Sequence, residues 1–408
     1  MNCSKFESLK ILLLTHRIPY PLRDGGAIAM HQSIQGYLDL GYSVSLLAMN
    51  TARHWVETND LPPIYSQLHR FETVYVNNAI NPIAAFFNLF SDKSYHVDRF
   101  INKAFNQALS QLLQEESFDL IQFESLYTSP YLSTARRYSQ APCLCRVHNI
   151  EHHIWQHLAD NEPNFVKRKY LRLLTQRLKN YELTVLKSFD LLLPISPAEQ
   201  EYINQEQLGT CYYVPFGINI HETIPVHTVD ALSCYHIGSM DWAPNVEGIE
   251  WFLQHVWLKS ADEFPEAAFY IAGKNMPPSL RKHESKRVHI VGEVDDFIGF
   301  SLEKNILIVP LRSGGGIRIK ILEAMALGKT IIATAKGAEG IPCEQGQHIL
   351  LANTANEFME SLRFCFQQPE QARAIGERAR EWVAHHFNQQ HIFAELNIRL
   401  HQLTDSRE

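Results

Sequence analysis

Arg318, Lys320 and Glu323 follow directly on three consecutive glycines, Gly314, Gly315 and Gly316. Glycines ahead of a helix leave backbone amides, including that of Ile317, free to meet an anion. Two cations add positive charge there, and a carboxylate one turn deeper accepts hydroxyl protons. Phosphate together with a diol describes a nucleotide. On a helix read over residues 317–327, Lys320 and Glu323 lie about 60° apart and share a face. Arg318 lies well away from Glu323 on that wheel. It reaches the same ligand only from the loop or from an irregular first turn. Ile317, Ile321, Ala324 and Met325 make the core stripe of the helix. A strand-to-helix turn with a solvated charged face explains the same residues; three glycines before two cations favour the ligand. No Lys-Ser/Thr pair follows the glycines at the required spacing, so this is not a P-loop.

A second group is His148-Asn149-Ile150-Glu151, placed after a strand-like run at 142–147. Ligands of open α/β sheets meet the carboxyl ends of strands. A histidine there can move a proton near neutral pH or hold a hydroxyl or phosphate. The alternative is a turn or cap histidine. Gly25-Gly26 form a turn between a strand at 10–15 and a helix at 27–40, which suits either a tight turn or ligand contact. The adjacent pairs His152–His153 and His385–His386 diverge on a helix, so no metal site is expected.

These groups need a scaffold, and the apolar runs supply one. Strands are expected at 10–15, 43–48, 72–77, 119–123, 142–147 and 190–195, each a short run suited to a parallel sheet covered on both faces. After a patternless stretch at 219–231 the alternation resumes. Strands are expected there at 234–238, 268–272, 288–291, 306–309, 330–334 and 348–351, with helices at 247–258, 295–302, 317–327 and 354–367. Residues 369–403 read as predominantly helical. The fold class is therefore α/β, with two βα-repeat domains joined near residue 220. Residues 164–187 read as one helix whose segment from Lys167 to Lys187 carries seven basic residues and one acid, Glu182. A solvated face is the expectation, and a membrane surface is the alternative. The apolar stretch 83–90 is expected in a core, with an acceptor groove or lipid as alternatives.

The chain has 408 residues, room for two ordinary domains, and 45% hydrophobic with 20% charged residues suits a globular protein. A net charge of −7 offers no footprint for nucleic acid. Seven scattered cysteines without a Cys-x-x-Cys pair read as free thiols of a reducing compartment. With neither a transmembrane run nor a signal peptide legible, the cytoplasm is the expected location.

In its order of motifs the chain resembles glycosyltransferase family 4, of the GT-B fold. PLRSGGGIRIKILEAMALGKTIIATAKGAEG is similar to that family's donor-binding signature. PYPLRDGG, RVHNIE, LPISPAEQE, VPFGIN, HIGSMDWAPN and YIAGK add matches in the right order. The resemblance implies two Rossmann-like doubly wound domains facing a central cleft. Residues 1–218, with a tail helix at about 388–408 packing back, would bind the acceptor; residues 219–387 would bind the donor. It implies retaining transfer of a sugar from a nucleotide diphosphate sugar to a saccharide or lipid-linked acceptor, in surface polysaccharide or glycolipid synthesis. Beyond the sugar nucleotide, no cofactor and no metal are implied. A peripheral contact with the inner membrane surface fits such an acceptor.

By position, Glu323 matches the second glutamate of the family's Glu-x7-Glu motif and would bind ribose. Arg318 and Lys320 would hold the diphosphate with the helix-start amides, and His148 would meet the donor sugar. Gly25 and Gly26 would approach donor phosphate or acceptor, Gly292 would pass the base, and Asn149 and Glu151 would face the acceptor. The chain departs from the pattern at Gly315, where the first glutamate of the motif is expected. It also lacks the basic pair after the first strand of the second domain, where Met240-Asp241-Trp242 stand. Two other readings follow from the departure: a sugar-nucleotide epimerase or hydrolase, and a non-catalytic sugar-nucleotide-binding protein.

Overall fold

Apolar runs of β-branched and leucine residues become strands buried on both faces. In β1 (Lys10–Thr15), Ile11, Leu12, Leu13 and Leu14 are all inaccessible to solvent, as the middle of a parallel sheet requires. β1 pairs in parallel with β2 (Ser43–Thr51) and β4 (Leu120–Glu124). β3 (Arg70–Val76), β5 (Cys143–Val147) and β6 (Leu191–Pro194) complete a sheet of order β3-β2-β1-β4-β5-β6. The second sheet holds β7 (Ser233–Ile237), β8 (Ala268–Ala272), β9 (Val288–Gly292), β10 (Ile306–Val309), β11 (Thr330–Ala333) and β12 (Leu350–Leu351), in the order β12-β11-β10-β7-β8-β9. Each sheet reverses its winding once, between β1 and β4 and between β7 and β10. Ligand crevices of doubly wound sheets form outside the carboxyl ends of strands at such points.

This computed structural model describes residues 8–22, 24–81, 83, 87–218, 220, 232–294 and 296–405. Apart from Ile220, the patternless stretch 219–231 lies outside them. The chain divides into two compact units, Met1–Gly217 with Gln389–Glu408, and Ile218–Asn388.

The helices of the first unit include α1 (Gly25–Asp39), α2 (Glu151–Asp160) and α3 (Phe165–Leu186). α1 starts at Asp24, whose carboxylate accepts from the Ala27 amide at 3.1 Å, a standard N-cap. The second unit contains α4 (Ala243–Phe252), α5 (Ile319–Ala326) and α6 (Pro369–His386). α7 (Gln389–Asp405) belongs to the first unit and lies on α1. Its Phe393 ring sits where a side chain on Gly36 would be, 2.4 Å from an added Cβ. Its Asn397 accepts from the Tyr42 hydroxyl at 2.5 Å.

Several elements differ from expectation. α4 begins four residues before the expected 247, because Pro244 suits a first helical turn. It gives way after Phe252 to a wider turn over Leu253–Trp257. α5 begins at Ile319 and not at 317, because Gly314 and Gly316 hold positive φ (90° and 86°) and Arg318 is non-helical. The expected helical stretch 369–403 is two helices, broken at Phe387, where the Ile218 amide donates to its carbonyl at 2.6 Å. α2 was anticipated only as a helix through His152–His153, with no bounds. The core expectation for 83–90 fails where the chain is described: Ile83, Phe87 and Phe90 are 68%, 67% and 78% exposed. The buried member is Asn88, whose carbonyl accepts from Arg177 of α3 at 2.7 Å. α3 itself is largely solvated on its basic face, with Lys167 paired to Glu162 and Arg172 to Asp160.

Candidate active site

The glycine loop follows β10 and leads into α5. Gly314 leaves room for Trp242, whose ring would lie 2.4 Å from an added Cβ. Arg318 stands at the N-cap of α5, in the irregular first turn from which it can reach a ligand. Its guanidinium lies 4.7 Å over the Trp242 ring, and Nη1 donates to the carbonyls of Gly315 and Gly316. Nε and Nη2 are buried and bonded to no described residue. One nitrogen thus closes the loop while two remain for another partner. Burial lowers the guanidinium's pKa, against the charge of Glu339. No side chain caps α5, so its first amides stay available to an anion.

At the second position of α5, the Lys320 ammonium meets two neutral acceptors. Its Nζ is 3.2 Å from Asn245 Oδ1 and 3.3 Å from His236 Nε2. His236 sits inside β7, wholly buried, with Nδ1 2.8 Å from the Ile308 carbonyl. A carbonyl only accepts, so the imidazole proton is on Nδ1 and Nε2 faces Lys320 as an acceptor. Burial, then the Lys320 charge, push His236 well below the usual histidine range and keep it neutral. Asn245 is oriented by its own bond to the Ser239 carbonyl at 2.8 Å. Gly238 makes space for the cluster: an added Cβ would lie 2.7 Å from Lys320 Nζ. Burial and then the Arg318 charge bring Lys320 down to about 7, against the pull of Glu323. Burial raises Glu323 to about 7, against Lys320. No described residue bonds the Glu323 carboxylate.

At the end of β9, Gly292 holds φ 83°, with nothing within 4 Å of an added Cβ. Gly315 is open in the same sense.

In the first unit, β1, β4 and β5 deliver His16, Glu124, Ser125 and His148 to the switch point. His148 Nε2 lies 2.7 Å from Glu124 Oε2, and both side chains are buried. His16 Nδ1 is 2.9 Å from the Ser125 hydroxyl and 3.2 Å from the Glu124 carbonyl. Ser125 has φ 83°, a conformation that non-glycine residues avoid. Asn149 is half-buried. Glu151, in the first turn of α2, accepts from the Tyr127 hydroxyl at 2.8 Å, and burial pushes its carboxyl up to about 7. Gly25 and Gly26 open α1, where the capping carboxylate of Asp24 already meets the helix start and pairs with Arg17.

Residues 231–368 match the family described as Glycosyl transferases group 1. The second unit carries a group 1 glycosyltransferase domain. A Klebsiella pneumoniae protein described as "Uncharacterized 44.6 kDa protein in cps region" is 21% identical over 399 residues, 95% of this chain and 98% of that one. Sucrose-phosphate synthase from Thermosynechococcus elongatus is 18% identical with a TM-score of 0.70, over 98% of this chain and 100% of that chain. Anabaena HepE in complex with UDP and glucose is 14% identical with a TM-score of 0.62, over 96% and 99%. The pneumococcal O-GlcNAc transferase GtfA in complex with UDP and GlcNAc is 11% identical with a TM-score of 0.61, over 98% and 99%. The glycosyltransferase shares their GT-B fold.

The second unit of the glycosyltransferase gathers Gly314, Gly315, Gly316, Ile317, Arg318, Lys320 and Glu323 at one end of its sheet, while His148, Asn149 and Glu151 gather in the first unit. The sequence reading quoted His236 and Asn245 only as the ends of a motif and gave no role to them, though they bond Lys320, nor to His16 or Glu124. Polar residues inside otherwise apolar strand runs were the available signal, since a fully buried strand carries them only with a partner.

Proposed function

We propose that this glycosyltransferase moves a sugar from a nucleotide diphosphate sugar to a saccharide or lipid-linked acceptor, with retention, in the assembly of a capsule or other surface polysaccharide. The reading is carried by the Lys320 cluster: a buried ammonium held by neutral acceptors, beside free helix-start amides and two unpartnered Arg318 nitrogens. A buried cation without a carboxylate partner calls for an anion from outside. Relatives support the donor and the setting: HepE and GtfA are described in complex with UDP, and the Klebsiella relative is described as a cps-region protein.

The residues divide the work. Lys320, Arg318 and the amides of α5 stabilise charge that develops on the departing diphosphate, where each aligned group lowers the barrier by about 3 kcal/mol. Glu323 accepts the ribose hydroxyls, Gly292 leaves space for the base, and His148 serves a sugar hydroxyl. Gly315 offers no carboxylate nucleophile, so the acceptor attacks from the face that the diphosphate leaves. Asn149 and Glu151 contact the acceptor.

A panel of uridine, guanosine and adenosine diphosphate sugars, read by thermal shift, finds the donor. Incubation with that donor and saccharide or lipid-linked acceptors then yields a glycosylated product. Free nucleotide without such a product would refute transfer and favour hydrolysis. Lys320→Ala and Glu323→Ala are each expected to abolish the thermal shift; an unchanged shift removes that residue from the site.

A further inference from the structure

The first unit carries a buried polar chain that the scheme above leaves unused. It begins on α1, where the Tyr37 hydroxyl donates to Gln122 Oε1 at 2.5 Å. Gln122 Nε2 donates to Glu124 Oε1 at 2.6 Å, and Glu124 Oε2 faces His148 Nε2 at 2.7 Å. Tyr37, Gln122 and Glu124 are all inaccessible to solvent. An ionised carboxylate only accepts hydrogen bonds. Gln122 must therefore turn its NH2 to Glu124 and its oxygen to Tyr37. By the same rule His148 must carry a proton on Nε2. Its other nitrogen, Nδ1, is bonded to no described residue.

We propose that Glu124 is the positioning residue of His148, holding the imidazole with its proton on Nε2 so that Nδ1 accepts a hydrogen bond from a hydroxyl of the bound sugar. The proposal rests on the reading of His148 as a sugar contact.

The surroundings keep Glu124 ionised. Burial alone would raise its carboxyl; the hydrogen bond from His148 and the positive charge of Arg146 oppose it, and the carboxyl is held below the usual range. Arg146 is Glu124's register partner on β5, buried, and its guanidinium bonds to no described residue. From β1 and the loop after it, His16 and Arg17 face the pair. Burial, then the Arg17 charge, push His16 down to about 3, so it stays neutral. From α1, Tyr37 is held protonated by burial. His16 Nδ1 takes the Glu124 carbonyl and the Ser125 hydroxyl, so the carboxylate oxygens stay with Gln122, His148 and the Ser33 hydroxyl. A histidine that only had to pack would need one backbone acceptor. Here three consecutive buried side chains determine which nitrogen is bare.

Nitrogen-15 NMR of histidine-labelled protein, with His148 assigned by its loss in His148→Gln, reads the tautomer directly. A bare Nδ1 and a protonated Nε2 are expected at mildly alkaline pH. A proton on Nδ1, alone or on both nitrogens, overturns the proposal. In Glu124→Gln, Oε1 must still accept from Gln122, because turning Gln122 over would leave the Tyr37 proton without its acceptor. The new NH2 then faces His148 and drives its proton to Nδ1. Turnover of the folded variant with the donor found by the nucleotide panel is expected to fall about 10- to 100-fold, by analogy with the loss of a residue that orients a metal ligand. If Glu124→Gln leaves tautomer and turnover unchanged while His148→Ala abolishes turnover, the positioning role fails and His148's contact stands. If His148→Ala is silent, the reading of His148 as a sugar contact fails, and the proposal with it.

Discussion

Donor affinity is expected to depend on pH through Lys320 and Glu323, in opposite directions. The diphosphate needs Lys320 charged. Burial and the neighbouring Arg318 have brought that ammonium to about 7, with His236 and Asn245 supplying no negative charge in return. A bound diphosphate pulls the lysine's pKa back up. Affinity is therefore fully present below about 7 and is lost as pH rises above it. Each further unit costs about 1.4 kcal/mol, a factor of ten, until the pKa of the bound state is reached. Glu323 has the reverse sign. To accept ribose hydroxyls it must be ionised, and burial has raised it to about 7, so affinity also falls on the acid side. The result is a bell centred near neutrality. With both groups near pH 7 and independent, affinity drops about eightfold between about pH 7 and pH 8.5. Calorimetric titration of the best donor checks this, because a nucleotide diphosphate sugar keeps a constant charge over that interval. Lys320→Met should bind weakly at pH 7 and lose the alkaline limb, so that the wild-type curve descends towards it. Glu323→Gln should lose the acid limb. Wild-type affinity that is flat from about pH 7 to pH 8.5, or an alkaline limb that survives in Lys320→Met, would refute the assignment.

Three substitutions test the packing around the site and the tail. Gly238→Ala places a methyl 2.7 Å from Lys320 Nζ and 2.8 Å from Asn245 Nδ2; the fold should persist while donor affinity falls tenfold or more, the loss of a charged hydrogen bond of about 1.5–3 kcal/mol, read by calorimetry. Gly315→Glu should leave the melting temperature nearly unchanged, within about 0.5 kcal/mol, because its Cβ meets open space; a large loss would show that the loop requires glycine there. Gly36→Ala should destabilise the first unit by about 1–3 kcal/mol through overpacking against Phe393, measured by denaturant unfolding of that unit.

The parallel strands were legible because burial on both faces leaves apolar runs that stand out without neighbours. β1, β8 and β10 fall where the runs at 10–15, 268–272 and 306–309 lie. The glycine loop and the charges of α5 were legible because they are contiguous in the chain. What escaped was supplied from elsewhere. α2 has only a short, histidine-rich sequence. Its start is met by Glu182 of α3, which accepts from the amides of Glu151 at 2.9 Å and His152 at 3.0 Å. A cap delivered by another helix leaves no local signature, and Glu182 read only as the one acid in a basic stretch. The burial of Lys320 was not legible, because the strand histidine and the asparagine that surround it are remote in sequence. Ile83, Phe87 and Phe90 misled in the other direction: an apolar run states a preference for burial, but other parts of the chain must provide the cover.

The path of the chain also sets an order of events during synthesis. α1 is made early, yet the helix whose Phe393 covers Gly36 emerges only after the whole second unit has been translated. At ordinary ribosomal speed the intervening stretch takes about 10 to 30 seconds. Throughout that interval the first unit has its sheet but not its last helix. The apolar groove on α1 is then open to chaperones or to neighbouring nascent chains. A messenger truncated anywhere between residues 217 and 389 would leave that groove open permanently. Loss of the last helix would thus be felt first in the half of the protein translated earliest.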